Sequence, residues 1–390
     1  MKETMTSRER MLAALNHEEP DRVPIDFGGF QTGIHRLPYL ALLEHLGIHD
    51  DVKILDPVQQ LAKPCEAVLE RLHVDTRYLV AGAPESFQGG IEQNTREGRR
   101  WHDLRDEFGV VWSMPDDQPF FMDISHHPLA NAGLQDLESY PFPNGADPTR
   151  FRGLRQQAQE MRDRTPYAIC TGIGGVVYEY CWYLRGLELW LTDMLMEPEF
   201  CEALLDRMLK FWMDYYTAFM REVGDLVDVI MIGDDLAGQA GPLFAPSFYR
   251  AVVKPRQKQL VQHIKSLTTA RIWYHTCGSC VAYIPDLIDN GIDILNPVQI
   301  SAAGMDPGEL KSRHGRQLTF WGGGIDAQHV LPVARVAEVR EHVRRNVEAF
   351  MPGGGYVFNN CHNVQAGVPP ENIVAMFDAA YEFGFYPAKH

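Results

Sequence analysis

The sequence predicts an α/β protein built as a (β/α)8 barrel (a TIM barrel), with an N-terminal helical extension and an inserted hairpin or lid after the second strand. Three observations predict this fold: eight short apolar runs, helical stretches that follow them, and a length of 390 residues. Eight consecutive strand and helix units favour a closed barrel over an open sheet. We therefore treat residues 1–390 as one domain.

The apolar runs are short and do not alternate strictly, as expected of strands covered on both faces of a parallel sheet. An open, doubly wound sheet would need a G-x-G-x-x-G signature after its first strand, and Gly28-Gly29 does not fit it. Most runs end in Gly, Asn, Asp or Cys. The eight runs are residues 23–29, 76–82, 167–172, 227–234, 271–278, 292–296, 318–323 and 356–361.

Helical periodicity is clearest in residues 246–266 and 333–350. Residues 187–223 are predicted to form two helices that are broken near Pro198, and a last helix is predicted over 369–383. Prolines at helix starts and glycines after helix ends mark these segments.

One region, residues 83–150, interrupts the alternation of strands and helices. We interpret it as an inserted hairpin and loop over the barrel mouth. Insertions on that side of a barrel are often substrate lids, and the alternative is a surface insertion without a role in the site. The sequence leaves both interpretations open.

The charge and the cysteines exclude several classes of protein. The 36 basic and 52 acidic residues give a net charge of −16, which disfavours binding to nucleic acids or anionic membranes. No apolar run reaches the roughly 18 to 20 residues that span a bilayer, and the N-terminus lacks the pattern of a secretory signal. Seven scattered cysteines fit a reducing compartment. We expect a cytoplasmic enzyme.

The ends of the fifth and eighth runs carry candidate metal ligands. Alternate residues of a strand point the same way, so His275 and Cys277 face one side together, and Cys361 converges on them across the mouth. One imidazole and two thiols suit a catalytic zinc with an open position, although lone strand cysteines are usually small buried hydrophobes. Cys280 and His362 are predicted not to be ligands, because adjacent side chains on a strand point oppositely.

Carboxylates follow the third and fourth runs. Glu179 is the candidate proton carrier or fourth zinc ligand; the alternative is a surface ion pair with Arg185. Asp234 is the candidate acid or base, whereas the neighbouring Asp235 is expected to cap the next turn or to bind substrate.

Other polar and aromatic residues near the run ends are candidates for substrate binding. The amides are Asn296, Gln299 and Asn363, and the aromatic candidates are Tyr178 and Tyr180. An aromatic cluster packs helices by default, and the alternative is a pocket for an aromatic or methylated substrate.

The chain resembles the uroporphyrinogen decarboxylase superfamily, and in particular its cobalamin-linked methyltransferase branch. The resemblance covers nearly the whole chain and independently implies the barrel. The motifs that carry it are the opening residues 8–24, Leu184-Arg-Gly-Leu-Glu, Gly233-Asp-Asp-Leu-Ala-Gly-Gln, His275-Thr-Cys-Gly, Leu295-Asn-Pro-Val-Gln, Phe320-Trp-Gly-Gly and Val368-Pro-Pro-Glu-Asn.

The resemblance also separates the two branches. The decarboxylases share an N-terminal Met-Arg-Gln-Ala-Gly-Arg segment for tetrapyrrole carboxylates, and the equivalent residues 26–32 here contain no arginine. The methyltransferase branch holds zinc by His-x-Cys and by a cysteine before the last helix, and His275, Cys277 and Cys361 match these positions. The resemblance thus implies Zn²⁺ and a corrinoid (cobalamin) carried on a partner protein.

The resulting prediction is a methyltransferase that moves a methyl group from a methoxylated small molecule, such as an aromatic ether, to a Co(I) corrinoid protein, as in an O-demethylase system. One alternative is a methylcorrinoid:thiol (coenzyme M-like) or tetrahydrofolate methyltransferase. Others are a metal-free decarboxylase-like lyase that uses Asp234, or a binding module for a corrinoid protein. The sequence leaves open whether the chain forms a homodimer.

Overall fold

The computed structural model describes residues 3–387, and its centre is a curled sheet of seven parallel strands. Each strand falls within one of the second to eighth predicted runs. In order across the sheet, the strands are Tyr356–Val357, Thr319–Trp321, Ile294–Asn296, Arg271–His275, Val229–Gly233, Ala168–Gly172 and Thr76–Tyr78. The barrel-type α/β fold predicted from the sequence is therefore confirmed.

The first predicted run connects the two edges of this sheet without forming a regular strand. Ile25 forms a parallel bridge with Phe358, and the Asp26 N–H donates to the Phe358 carbonyl over 2.9 Å. On the other side, the Asp75 N–H donates to the Ile25 carbonyl over 2.7 Å. Pro24 has no N–H to give to a ladder, which explains why pairing here is limited to a few bonds.

Helices surround the sheet and connect its strands. The predicted break in residues 187–223 occurs at Glu197, and the predicted helix over 246–266 includes a π-helical segment, Tyr249–Val253. The α-helices are Ser7–Leu15, Arg36–Leu46, Glu66–Arg71, Asp136–Ser139, Leu154–Arg164, Glu179–Arg185, Leu187–Met196, Pro198–Val223, Pro246–Phe248, Lys254–Leu267, Ile284–Asn290, Pro307–His314, Val336–Phe350 and Pro370–Phe383, with a 3₁₀ turn at Pro148–Phe151.

The barrel interior is filled by apolar side chains. The rings of Trp273 and Trp321 stack there with centroids 4.5 Å apart, and Met11 and Leu15 of the N-terminal helix join the cluster from the end where the strands begin. Because Trp273 points inward, His275 two residues later points to the same side, at the mouth. The remaining members of the cluster are Ala168, Cys170, Val229, Met231, Ile294 and Val357.

Smaller sheets lie outside the barrel. The predicted insertion holds a four-stranded antiparallel sheet rather than one hairpin, with strands Ile91–Arg96, Arg99–Arg105, Val111–Pro115 and Asp123–His126. It packs on an N-terminal sheet, because the Met122 N–H donates to the Val58 carbonyl over 2.8 Å. The other short strands are Ile34–His35, Lys53–Asp56, Leu61–Lys63, Ala237–Gly238 and Gly241–Pro242. No helix within residues 3–387 combines the length and apolarity that a membrane span requires.

Candidate active site

A cavity of about 500 Å³ lies at the carboxyl ends of the barrel strands. The inserted sheet contributes Trp112, Phe121 and Met122 to its wall, so the insertion is part of the site rather than an ornament. The other lining residues are Phe30, Gln31, Asp56, Val58, Gln59, Ile173, Gly174, Gly175, Glu179, Tyr180, Tyr183, Asp235, His275, His362 and Gln365.

Three potential metal ligands lie together at this end of the barrel, and two of them, His275 and His362, line the cavity. One ligand atom each from His275, Cys277 and His362 lies within 4.8 Å of the other two, and this is the only such group within residues 3–387. The Cys277 Sγ is 3.5 Å from the His275 Nε2. Imidazole nitrogen and thiolate sulfur together are ligands that zinc prefers, and three of them leave a tetrahedral position open.

Asn296 orients His275 for such a role. The His275 Nδ1 lies 2.6 Å from the Asn296 Oδ1, and the Asn296 Nδ2 donates to the Trp321 carbonyl over 2.9 Å. The bond to the Trp321 carbonyl fixes the orientation of the Asn296 amide, so its oxygen faces His275 and accepts a hydrogen bond. The His275 Nδ1 therefore carries the proton, which leaves the Nε2 lone pair free. Burial lowers the pKa of His275 to about 4, so the ring is neutral at pH 7.

The group of potential metal ligands contains His362 rather than the neighbouring Cys361. The sequence predicts that His362 is not a ligand, because adjacent strand side chains point oppositely, but the regular strand ends at Val357 and residues 361–363 form a bend. The alternation rule therefore does not apply there. Burial lowers the pKa of His362 to about 3 and raises the pKa of Cys361 to about 12. Cys361 lies outside the group of three, and its role as a ligand stays a prediction.

Glu179 and Asp235 place two carboxyl groups beside the metal ligands. The Asp235 N–H donates to the Glu179 Oε2 over 3.1 Å, and the Tyr183 hydroxyl donates to the other Glu179 oxygen. The Cys277 N–H donates to the Asp235 Oδ1 over 2.7 Å. Burial and the nearby Asp235 charge raise the pKa of Glu179 well above its ordinary value. This shift favours the protonated form of Glu179.

Asp234 lies behind the cavity wall and does not line it. Its Oδ1 accepts the N–H groups of Tyr178 and Glu179, each over 2.8 Å, and its Oδ2 accepts a bond from Gln257 over 2.8 Å. These contacts fix the start of the helix Glu179–Arg185, which lies well before Asp234 in the chain. Burial raises the pKa of Asp234 to about 7.

Of the residues predicted to bind substrate, Tyr180 and Asp235 line the cavity. The others support its walls. Tyr178 is fully buried and stacks on another ring 4.7 Å away. Gln299 accepts the Gly278 N–H over 2.7 Å and holds the turn after the metal ligands. Asn363 accepts the Gly33 N–H over 2.6 Å.

Several lining residues were not predicted. Tyr183 is not among them, because it belongs to the aromatic cluster that could line a pocket, but its bond to Glu179 was not predicted. Tyr183 lies four residues after Glu179 on one helix, so helical geometry could have paired them. Asp56 and Trp112 come from the N-terminal sheet and the insertion, and no periodicity or motif relates them to the barrel.

The uroporphyrinogen decarboxylase family model matches residues 106–383. The chain belongs to the uroporphyrinogen decarboxylase family. A uroporphyrinogen decarboxylase from Alkalilimnicola ehrlichii is 24% identical over 288 residues, 69% of this chain and 70% of that protein. One from Geobacter metallireducens is 22% identical over 260 residues, 64% of this chain and 70% of that protein.

Another member of this fold is the methyltransferase from Methanosarcina mazei. Its structure aligns with a TM-score of 0.66 at 20% identity and covers 97% of this chain and 99% of that one. At this identity the match supports a shared fold. The predicted resemblance to the uroporphyrinogen decarboxylase family is confirmed.

Proposed function

We propose that this family member is a zinc-dependent methyltransferase that moves a methyl group from a methylated small molecule to a Co(I) corrinoid on a partner protein. The observation that carries the proposal is the group of His275, Cys277 and His362 at the wall of the cavity. The fold match to a methyltransferase that spans nearly both chains supports it.

The charge of the cavity argues against decarboxylation of a tetrapyrrole. Asp56, Glu179 and Asp235 line it, and no lysine or arginine is found among its described lining residues. A substrate with several carboxylates needs cationic partners, most often arginine. The segment 26–32 also lacks arginine. The described wall therefore offers no cationic partner to the carboxylates of the substrate after which the family is named.

The donor set fits zinc. His275 and Cys277 would hold the ion, and His362 or Cys361 would complete the set. Bound there, zinc would act as a Lewis acid toward the oxygen of the methyl donor. Asn296 keeps the His275 Nε2 available, and the Asp235 carboxylate fixes the backbone at Cys277.

The chain itself supplies a proton. Loss of a methyl group leaves an oxygen that needs one, and Glu179 lies in the cavity with a pKa raised by burial. Its bonds from Tyr183 and Asp235 hold the carboxyl group in place. We assign Glu179 the role of general acid.

Metal analysis of purified protein is the first test. We expect about one zinc per chain, lost in Cys277→Ser and retained in Cys65→Ser, a control thiol outside the cluster. Comparing His362→Ala with Cys361→Ala identifies the third ligand. Less than about half an equivalent of zinc, unaffected by Cys277→Ser, would refute the zinc site.

The second test is methyl transfer. Methoxylated aromatic compounds are incubated with the protein and a Co(I) corrinoid, and formation of methylcorrinoid is followed by absorbance. Demethylation at full rate without any corrinoid would contradict the proposed acceptor. Methylation of a thiol by methylcorrinoid, with no reaction of the ethers, would favour the opposite half-reaction.

A further inference from the structure

The cavity wall carries three carboxyl groups and, among its described lining residues, no cationic side chain to pair with them. Asp56, Glu179 and Asp235 all line it, and none of the ion pairs formed by residues 3–387 involves any of these three side chains. Glu179 and Asp235 lie beside the metal ligands, where a bound cation would offset their charge. Asp56 belongs to the N-terminal sheet and has no such neighbour.

Three hydrogen bonds hold the Asp56 carboxyl group in place, and its oxygens are the acceptors. Its Oδ1 accepts the N–H groups of Val58 and Gln59 over 2.8 and 3.3 Å, and its Oδ2 accepts one bond from the Gln59 side chain over 2.8 Å. Burial raises the pKa of Asp56 above its ordinary value, and the three donors oppose part of this shift. A carboxylate oxygen accepts more than one hydrogen bond, so Oδ2 keeps the capacity to accept one from a ligand.

The rest of the cavity wall is suited to a flat apolar ligand. Aromatic rings and a thioether surround the space, and such side chains favour stacked or edge-on contacts with another ring. These residues are Phe30, Trp112, Phe121, Met122, Tyr180 and Tyr183. Together with the acidic groups, they describe a site for an aromatic molecule that carries no negative charge.

We propose that the cavity selects aromatic methyl ethers without a carboxylate, and that Asp56 determines this specificity by repelling anionic donors and accepting a hydrogen bond from a hydroxyl or amino group. The inference rests on the proposed function for the identity of the methyl donor. It goes further by naming the charge class of the donor and the residue that selects it.

The test is a binding comparison by calorimetry on the zinc-loaded protein without corrinoid. The ligands are 2-methoxyphenol, 4-hydroxy-3-methoxybenzoate and the methyl ester of that acid. The wild type should bind the phenol and the ester at least about tenfold more tightly than the acid. Asp56→Asn should reduce this difference in affinity to about threefold. Asp51→Asn removes the same charge outside the cavity and should leave the difference unchanged.

A second variant tests the charge argument without disturbing Asp56. Gln365→Lys places a cation at an exposed position of the cavity wall and should raise the affinity for the acid more than for the ester. Equal wild-type affinities for the acid and the ester would overturn the inference. A difference in affinity that neither Asp56→Asn nor Gln365→Lys changes would also overturn it.

Different experimental results would refute the proposed function and the proposed specificity. Selective binding of the neutral ligands with no methyl transfer to Co(I) corrinoid would refute the proposed function and leave the specificity intact. Methyl transfer from the acid as readily as from its ester would refute the specificity alone.

Discussion

Replacing Asn296 with alanine tests the link between the barrel and the metal ligands. The Asn296 amide bridges the His275 Nδ1 at 2.6 Å and the Trp321 carbonyl at 2.9 Å, and it is fully buried. Its removal leaves one N–H and one carbonyl without partners, each at a cost of about 1–3 kcal/mol. We expect Asn296→Ala to lower the free energy of unfolding by about 2–5 kcal/mol.

The same change should weaken zinc binding by about 10–100-fold, since the imidazole loses the partner that fixes its tautomer and orientation. Zinc affinity is measured by competition with a chromophoric chelator, and stability by urea unfolding of the zinc-free protein. Asn372→Ala is the matched control, because Asn372 is buried and bonds two carbonyls, those of Leu331 and Ala334, instead of a metal ligand. Wild-type zinc affinity in Asn296→Ala would refute the reasoning.

Three further predictions concern the scaffold. Asp75→Ala leaves Arg10 and Arg22 as buried charges without their shared partner and should cost about 3–5 kcal/mol in urea unfolding. Arg10 lowers the pKa of Asp21 to about 2, so the wild type should lose stability as the pH falls from about 4 to 2, and Asp21→Asn should flatten this slope. Gly172→Ala should prevent soluble expression, because its φ is +108° and a Cβ would lie 2.1 Å from a carbonyl of the next strand.

Seven strands of the parallel sheet could be predicted from the sequence because each is a short apolar run that ends in a polar or small residue. The helices followed from periodicity and from Pro198. The four-stranded form of the insertion was not predicted, because its two outer strands are mostly exposed and carry little apolar patterning. The irregular pairing of residues 24–26 depends on two distant edges that no local pattern reveals.

The candidate site was predictable where it depends on strand geometry. His275 follows from the alternation of a regular strand and lines the cavity. Cys277 lies two residues beyond that strand and still meets the prediction, with its Sγ 3.5 Å from the His275 Nε2. His362 did not follow, because the chain bends after the strand has ended. The cavity itself could not be predicted in full, since residues such as Asp56 and Trp112 join it through tertiary packing.

The closure of the barrel through residues 24–26 has a consequence for folding during synthesis. The Asn359 side chain donates to the Asp26 carbonyl, two positions that lie 333 residues apart. A nascent chain therefore exposes an unpaired strand edge until Phe358, which lies shortly before the last described helix, has left the ribosome. Such edges promote aggregation. We expect fragments that stop before Phe358 to depend on chaperones, whereas the complete ring protects both edges at once.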